Sequence, residues 1–554
     1  MQRATALALT LLTATCHLAW PAEIVRRLPV AEYVDRMAGG WLGQIAGVAR
    51  GGPTEFRWHG TIIPEADVPA WNEELVNHAF GQDDLYVEMT FLRTLEVHGF
   101  DVSARVAGID LANSEYGLAC ANRAARENLR RGIAPPDSGH PHFSRNSDDI
   151  DYQIEADYSG LIAPGMPDLV VELGERFGRM MNYGDGLYAG QFIGGMYAEA
   201  FFTTDAEQIV RAGLACIPAE SQYAEMVRDV LAWHAQEPDE WERTWRLATD
   251  KYYHDPDYHR YAGPGIDAKI NGAYVLIGLL HGNGDPDRTI EISCRCGLDS
   301  DCNPSSAAGV LFTTIGRNGL PSRFKDRLNQ EAVFLHTAYS YPALLAVCEK
   351  LARQAVLRHG GAIQTDARGQ EVFVIPVMEP RVGPVERSWD PGPTAGSVFT
   401  ARERALIRFR DELSLALEAA APGWGLSDCG PDMGAPGFLS EFRGRDRVLI
   451  THPLDRETGC VLAKTVSLPA GKRSELRLTV GHHEHGDWLL VVRADKKAIR
   501  EQVVGPQSAV EGWLDVTVDL SAYAGQEVLL ELVNQPTGWA WEAAYWERVA
   551  LATE

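Results

Sequence analysis

This chain is short of positive charge. Its 51 lysines and arginines face 76 aspartates and glutamates, a formal net charge of −25. No Lys/Arg-rich run relieves that balance, so neither duplex nucleic acid nor an anionic membrane surface is an expected partner. Long apolar runs are missing too: beyond the N-terminal segment nothing is long enough to span a bilayer. Cysteine is sparse, nine residues in 554, too few for a disulfide scaffold. Cys294, Cys296 and Cys302 lack the paired CxxC spacing of a zinc site and read as buried free thiols. Cys429 and Cys460 are free to pair if the chain is exported. Internal repeats and low-complexity tracts are absent.

What is present is an ordinary globular composition, 45% hydrophobic and 23% charged. At this length two or three domains are expected rather than one core. The chain opens with Met1-Gln2-Arg3, an apolar stretch over 4–14, and then Cys16-His17-Leu18-Ala19-Trp20-Pro21-Ala22. A basic start, an apolar region and small residues predict a signal peptide over 1–22 and a secreted or periplasmic protein. A buried first helix or a mis-chosen start is the alternative. Thr13-Ala14-Thr15 is a poor context for a lipid on Cys16.

From 23 to 358 the apolar spacing is helical, with helices expected over 30–47, 84–98, 104–131, 167–183, 189–203, 206–215, 221–235, 267–280, 286–294, 304–315 and 341–358. Several carry small residues, such as Gly190, Gly194 and Gly195, that let helix axes approach closely. Residues 359–421 read as a proline-punctuated linker with one helix over 400–420. From 422 to 554 short β-rich runs at 474–480, 488–494, 513–520 and 527–534 alternate with turn residues, which predicts an antiparallel β-sandwich. The fold class is thus an all-α bundle followed by a jelly-roll-like sandwich.

Two acidic motifs about 215 residues apart carry the chemistry: Gln82-Asp83-Asp84-Leu85-Tyr86-Val87-Glu88 and Gly297-Leu298-Asp299-Ser300-Asp301-Cys302-Asn303. Asp84 and Glu88 share a helix face, with Asp83 just before the helix. Asn303-Pro304 looks like an N-cap followed by proline at the first helical position. Asp-Asp and Asp-x-Asp are common in solvated loops. Two such motifs, each abutting an apolar helix, instead suggest carboxylates gathered in one place. Buried together, they need a compensating charge, and a hard divalent cation supplies it through oxygen ligands.

The motifs resemble a known family. Gly40-Trp41-Leu42-Gly43-Gln44-Ile45-Ala46-Gly47-Val48-Ala49-Arg50-Gly51-Gly52-Pro53-Thr54-Glu55-Phe56 resembles the opening motif of the ADP-ribosylglycohydrolase superfamily, which includes the dinitrogenase-reductase-activating glycohydrolases. Gln82-Asp83-Asp84 resembles its Asp-Asp motif and Asp299-Ser300-Asp301 its late Asp-Thr-Asp motif. Asn182-Tyr183-Gly184-Asp185-Gly186-Leu187-Tyr188 and Asn271-Gly272-Ala273 extend the likeness, which spans roughly 30–350. The resemblance implies an orthogonal all-α bundle with one or two Mg²⁺ or Mn²⁺ ions in a central cleft. It implies Asp83, Asp84, Asp299 and Asp301 as metal ligands, with Gln82 and Cys302 beside them. Glu55, Asp84 and Asp301 become the catalytic carboxylates, acting on a bond to an anomeric carbon.

This sequence departs from the family at three points: Gln82 replaces a Thr, Cys302 replaces a Thr, and Val48 replaces an Asp. Sulfur is a poor Mg²⁺ ligand. These changes point to a divergent branch acting on another glycoside or a nucleoside-like substrate. Asp149, Asp151 and Glu155 suit either a cleft wall contacting sugar hydroxyls or a solvated helix face. Asp185 suits the cleft or a simple turn; Asn303 joins these as a substrate contact. His482, His483 and His485 read as a surface turn. Trp513, Trp539, Trp541, Tyr545 and Trp546 suit sandwich core packing or stacking on a sugar ring. The expected function is a metal-dependent glycosidic-bond hydrolase acting on a small molecule or a glycan. The alternative is a catalytically inactive sugar- or nucleotide-binding protein on the same fold.

Overall fold

The computed structural model describes residues 24–408 and 412–553. The expected leader over 1–22, Cys16 included, lies outside them. Val30–Gly51 forms the first long helix, entered from Pro29 and buried along most of its length. Gly39, Gly43, Gly47 and Gly51 recur every fourth residue and so form one stripe on it. That stripe lies against Cys302–Gly319. A methyl group added at the four glycines would meet the carbonyl oxygens of Phe312, Ala308, Pro304 and Ser300 respectively. Glycine is needed here for proximity, not for unusual dihedrals. The close contact brings the end of the opening motif against the late acidic motif.

Gly47→Ala is therefore expected to lower stability by roughly 1–3 kcal/mol through overpacking. It should also weaken divalent-cation binding, because the Asp301 end of the second helix must move. Gly117→Ala, where a methyl meets nothing within 4 Å, is the control. Urea unfolding and a cation titration on both variants test this; equal behaviour would mean the two helices can separate freely.

Most expected helices are present, with the boundaries adjusted. The stretch read as one helix over 104–131 is two, Ala104–Ala112 and Cys120–Arg131. The first ends at Asn113, and Cys120 takes a left-handed φ of 43° that restarts the chain in a new direction. Trp241–Ala248 is a further helix that the sequence reading lacked. The 400–420 helix is divided into Ala401–Arg404 and Glu412–Ala420. Cys302–Gly319 begins two residues earlier than expected, with Asp301 rather than Asn303 as its N-cap. Pro304 is thus the third residue of that helix.

A three-stranded antiparallel sheet was not anticipated. Glu371–Pro376, within the proline-punctuated stretch, is its central strand and pairs with both Val25–Pro29 and Ala362–Thr365. Its Val-Phe-Val-Ile run lacks polar alternation because it is buried. Its first partner lies almost the whole helical region away in sequence, which hides the pairing from local pattern.

Beyond 422 two five-stranded antiparallel sheets face each other. One runs in the order Lys497–Val504, Trp488–Ala494, Glu527–Gln535, Cys460–Ser467, Gly425–Ser427. The other runs Trp513–Asp519, Ser474–His482, Ala544–Thr553, Arg445–Thr451, Gly437–Phe442. Trp488, Leu490, Leu476, Leu478, Leu532 and Trp546 fill the space between them. A helical body, edged by the small three-stranded sheet, followed by an antiparallel sandwich is the fold. Trp546 and Tyr545 are core residues, whereas Trp541 is 46% exposed and stacks on His483. Cys429 and Cys460 are free thiols, and His452 N–H donates to Cys429 Sγ at 3.4 Å.

Candidate metal centre

Three segments converge on one pocket. The turn Gly52–Thr54 delivers Glu55, the first turn of the Asp83–His98 helix delivers Asp83 and Asp84, and the 297–301 loop delivers Asp299 and Asp301. Leu298 is held at a left-handed φ of 56°, which reverses the chain between Pro286–Arg295 and Cys302–Gly319. Phe56 N–H donates to Leu298 O at 2.8 Å and Leu298 N–H to Trp58 O at 2.9 Å. Thr54 Oγ1 and Ser300 Oγ are 2.8 Å apart. These bonds fix the opening and late motifs to each other.

The carboxylates form two overlapping groups. One atom each from Asp84, Asp301 and Cys302 lie within 4.8 Å of one another, as do atoms from Glu55, Asp299 and Asp301. Asp301 belongs to both. Asp84, Asp299 and Asp301 are buried, while Asp83 and Glu55 stand exposed at the rim. Burial, with the neighbouring carboxylates second, pushes Asp84 and Asp299 well above the usual carboxylate range. Burial also raises Asp301, against the lowering effect of its hydrogen bonds with Asp299 and Cys302 N–H. Burial, Asp301 and Asp83 together raise Glu55 to about 7. Asp84 Oδ2 and Asp299 Oδ1 are buried without a hydrogen-bond partner. Among the described residues no lysine, arginine or histidine lines the pocket. Orphaned hard oxygen donors without a protein cation suit a divalent metal ion of the Mg²⁺ or Mn²⁺ kind.

Cys302 takes a particular place in this arrangement. Its Sγ donates to Asp84 Oδ1 at 2.8 Å, and its thiol is pushed well up by burial and by Asp299, Asp84 and Asp301. A protonated thiol donor restrains Asp84 rather than competing for a hard cation. Gln82 is half-buried, and its amide nitrogen lies near Gly52 beside Asp301.

The opposite wall is built from the stretch expected to be either a wall or a solvated face. Asp149, Asp151 and Glu155 are all buried. Asp149 Oδ2 and Asp151 Oδ2 accept from Ala121 N–H at 2.7 and 2.9 Å. The Asn122 amide donates to Asp151 Oδ1 at 2.6 Å and also to Glu155 Oε1. Glu155 Oε2 is left without a partner. Asp151, Glu155 and Asn122 line the pocket, whose volume is about 70 Å³; Asp149 stands behind them.

Two expected site residues lie elsewhere. Asp185 accepts from Tyr223 N–H at 2.8 Å and lies 3.8 Å from Lys269 Nζ, inside a buried ionic cluster. Asn303 donates to Asn271 Oδ1 at 2.9 Å under the helix start. Neither lines the pocket, because each is committed to packing its own helix. Asn122 and Lys269 were not singled out from the sequence. Lys269, the one lysine in the apolar Ala268–His281 helix, was a legible signal. Asn122 was not, since asparagine on a helix is ordinary. Among the described residues no histidine joins a potential metal cluster.

The ADP-ribosylglycohydrolase family profile matches residues 29–360. The chain belongs to the ADP-ribosylglycohydrolase family. All of Glu55, Asp83, Asp84, Asp299 and Asp301 lie within the matched region, and membership supports glycohydrolase chemistry in general terms. No curated protein matches the chain. Among solved structures it is similar to an ADP-ribosylglycohydrolase-related protein complex, at 16% identity and TM-score 0.37, covering 59% of this chain and 99% of that one. It is also similar to the Stig cyclase Fisc from Fischerella sp. TAU, at 16% identity and TM-score 0.18, over 24% of this chain and 74% of that one. CBM35 from Paenibacillus barcinonensis is similar at 10% identity and TM-score 0.18, over 24% and 96%. Among the described residues no helix is long and apolar enough to cross a membrane.

Proposed function

We propose that this member of the family is an exported, divalent-metal-dependent hydrolase of a glycosidic bond. Its catalytic region would be residues 23–358 and its accessory region the sandwich from 422. The observation that carries this reading is the convergence of Asp84, Asp299 and Asp301 with two orphaned buried oxygens and, among the described residues, no basic side chain lining the pocket. Asp84, Asp299 and Asp301 would hold the ion, with Asp83 and Glu55 at the rim. A cation there supplies Lewis acidity and a water that ionises near neutral pH. Glu55, at the mouth of the pocket beside Asp301, is placed to take or return a proton on the sugar side. Asp151 and Glu155, oriented by Asn122, present acceptors for sugar hydroxyls, and Glu155 Oε2 is free to take one. Holding the sugar between these two acidic walls fixes the anomeric carbon against the centre.

The test is a screen of aryl glycosides with Mg²⁺, Mn²⁺ and EDTA, together with elemental analysis of the purified protein. Turnover restored by one of the ions and abolished by EDTA is expected. Full activity in EDTA would point to a metal-free pair of carboxylates instead. A second reading, an inactive sugar-binding protein, draws on Cys302 engaging an Asp84 oxygen. Sugar binding with no bound metal and no turnover would favour it.

A further inference from the structure

The two groups of ligand atoms in this centre differ in chemistry. Glu55, Asp299 and Asp301 offer oxygen alone, and Glu55 is exposed at the rim. Asp84, Asp301 and Cys302 are all buried, and one of their three donors is sulfur. Asp84 Oδ2 is buried without a hydrogen-bond partner, so this inner group keeps a donor that no described residue engages. Its members come from two remote segments, which is why no paired cysteine spacing announces it in the sequence.

Hard and thiophilic cations meet the inner group differently. Mg²⁺ prefers oxygen and leaves a thiol protonated, so Cys302 stays a donor to Asp84 Oδ1 at 2.8 Å. That bond occupies an oxygen the hard ion would need. Zn²⁺ and Co²⁺ accept thiolate, and a coordinating thiol gives up its proton outright. In that exchange the S–H bond breaks, the proton leaves to solvent and the sulfur lone pair binds the ion. Asp84 Oδ1 is released at the same time, and no oxidant or reductant takes part. The dimensions agree, since Zn²⁺ lies about 2.3 Å from sulfur and about 2.0–2.2 Å from a carboxylate oxygen. Three donor atoms within 4.8 Å of one another are close to the span that one ion bridges. Three protein ligands with a fourth position open is the ligand count of a catalytic zinc site rather than a structural one. Asp84 and Cys302 line the cavity, so that fourth position opens toward it.

We propose that the centre is asymmetric: the inner position takes a thiophilic divalent ion with Cys302 as a thiolate ligand, and the outer position takes a hard cation. Asp84 and Asp301 complete the inner set, Glu55 and Asp299 the outer one, and Asp301 bridges the two. Cys302 is thus the residue that sets ion specificity. Its sulfur is one of this chain's departures from the family pattern. The inference rests on the metal reading above and names the ions for that same site.

Co²⁺ titration of the full chain stripped of metal tests it, because a thiolate ligand gives Co²⁺ an intense near-ultraviolet charge-transfer band that carboxylates do not. The band is expected to saturate at one Co²⁺ per chain and to vanish in Cys302→Ser. It should persist in Cys120→Ser and in Cys429→Ser, which alter the two half-buried thiols. Calorimetry should show Zn²⁺ affinity falling by at least about tenfold in Cys302→Ser, with no fall in Mg²⁺ affinity. Competition gives a readout on the unaltered protein: Zn²⁺ should remove the Co²⁺ band, whereas saturating Mg²⁺ should leave it. Bound Co²⁺ without the band, a band that Mg²⁺ abolishes, or a band kept by Cys302→Ser overturns the proposal. In those cases Mg²⁺ binding with EDTA-sensitive turnover would leave the hydrolase reading standing. A stripped protein that binds none of Mg²⁺, Zn²⁺ and Co²⁺ removes the reading and the proposal together.

Discussion

Asp301→Asn is expected to abolish divalent-cation binding and glycoside turnover while leaving the helical body folded. Asp301 is the one carboxylate shared by both potential metal groups. Its loss should therefore exceed the roughly 10–100-fold that removing an outer-shell partner costs a metal site. Asparagine keeps the oxygen that accepts from Cys302 N–H, and it is as good an N-cap as aspartate, so the helix start survives. In EDTA the variant should melt no lower than the parent. Burial and like-charged neighbours raise Asp84, Asp299 and Glu55, and removing one negative charge relieves them. Loss of cation binding without loss of apo stability is the signature; a variant that keeps parental turnover would sink the assignment. Asp185→Asn, placed in a separate ionic cluster, should leave cation affinity unchanged.

Lys269→Met is expected to cost stability rather than chemistry, by about 3–5 kcal/mol. Lys269 is fully buried, 3.2 Å from Asp267 and 3.8 Å from Asp185, with Asp148 also held by its charge. Removing it leaves three buried carboxylates without their cation. The pH dependence follows from the directions of the shifts. Burial raises Asp267 to about 7 and Asp148 to about 6, in each case against the lowering effect of Lys269. Both folded values lie above the unfolded ones, so the folded state holds more protons and stability falls as pH rises through that window. Without Lys269 both values climb further, and the fall extends to higher pH. Urea unfolding should show the variant weakest near pH 8 and partly recovered near pH 5, where Asp267 and Asp148 take up protons. A deficit independent of pH would mean that lost packing, not stranded charge, is the cause. Because Asp149 bridges Asp267 and Ile150 N–H donates to Ile266 O at 3.1 Å, the same change should loosen the Asp151–Glu155 wall.

Much of the candidate site was legible because its chemistry is local. Asp83-Asp84 and Asp299-Ser300-Asp301 each declare a carboxylate pair at a helix start, and the helical spacing around them requires no partner to be recognised. The glycines at 39, 43, 47 and 51 were visible as small residues, but their role as a contact stripe depends on which helix lies opposite. The three-stranded sheet, the break at 113–119 and the Asp301 cap were misjudged for a related reason. Each is decided by groups distant in sequence or by backbone angles such as that of Cys120. Asp185 and Asn303 were chemically suitable for the site, yet Lys269 and Asn271 claimed them.

By itself the order of residues determined the helical and strand-rich halves, the acidic motifs and their need for a compensating charge. Tertiary packing alone decided which carboxylates share a pocket, which oxygens stay unpaired and which helix N-termini are already occupied. The physical reason is range. Periodicity and side-chain chemistry act over a turn or two of helix, whereas burial and Coulomb coupling depend on distances that only close packing of remote segments sets.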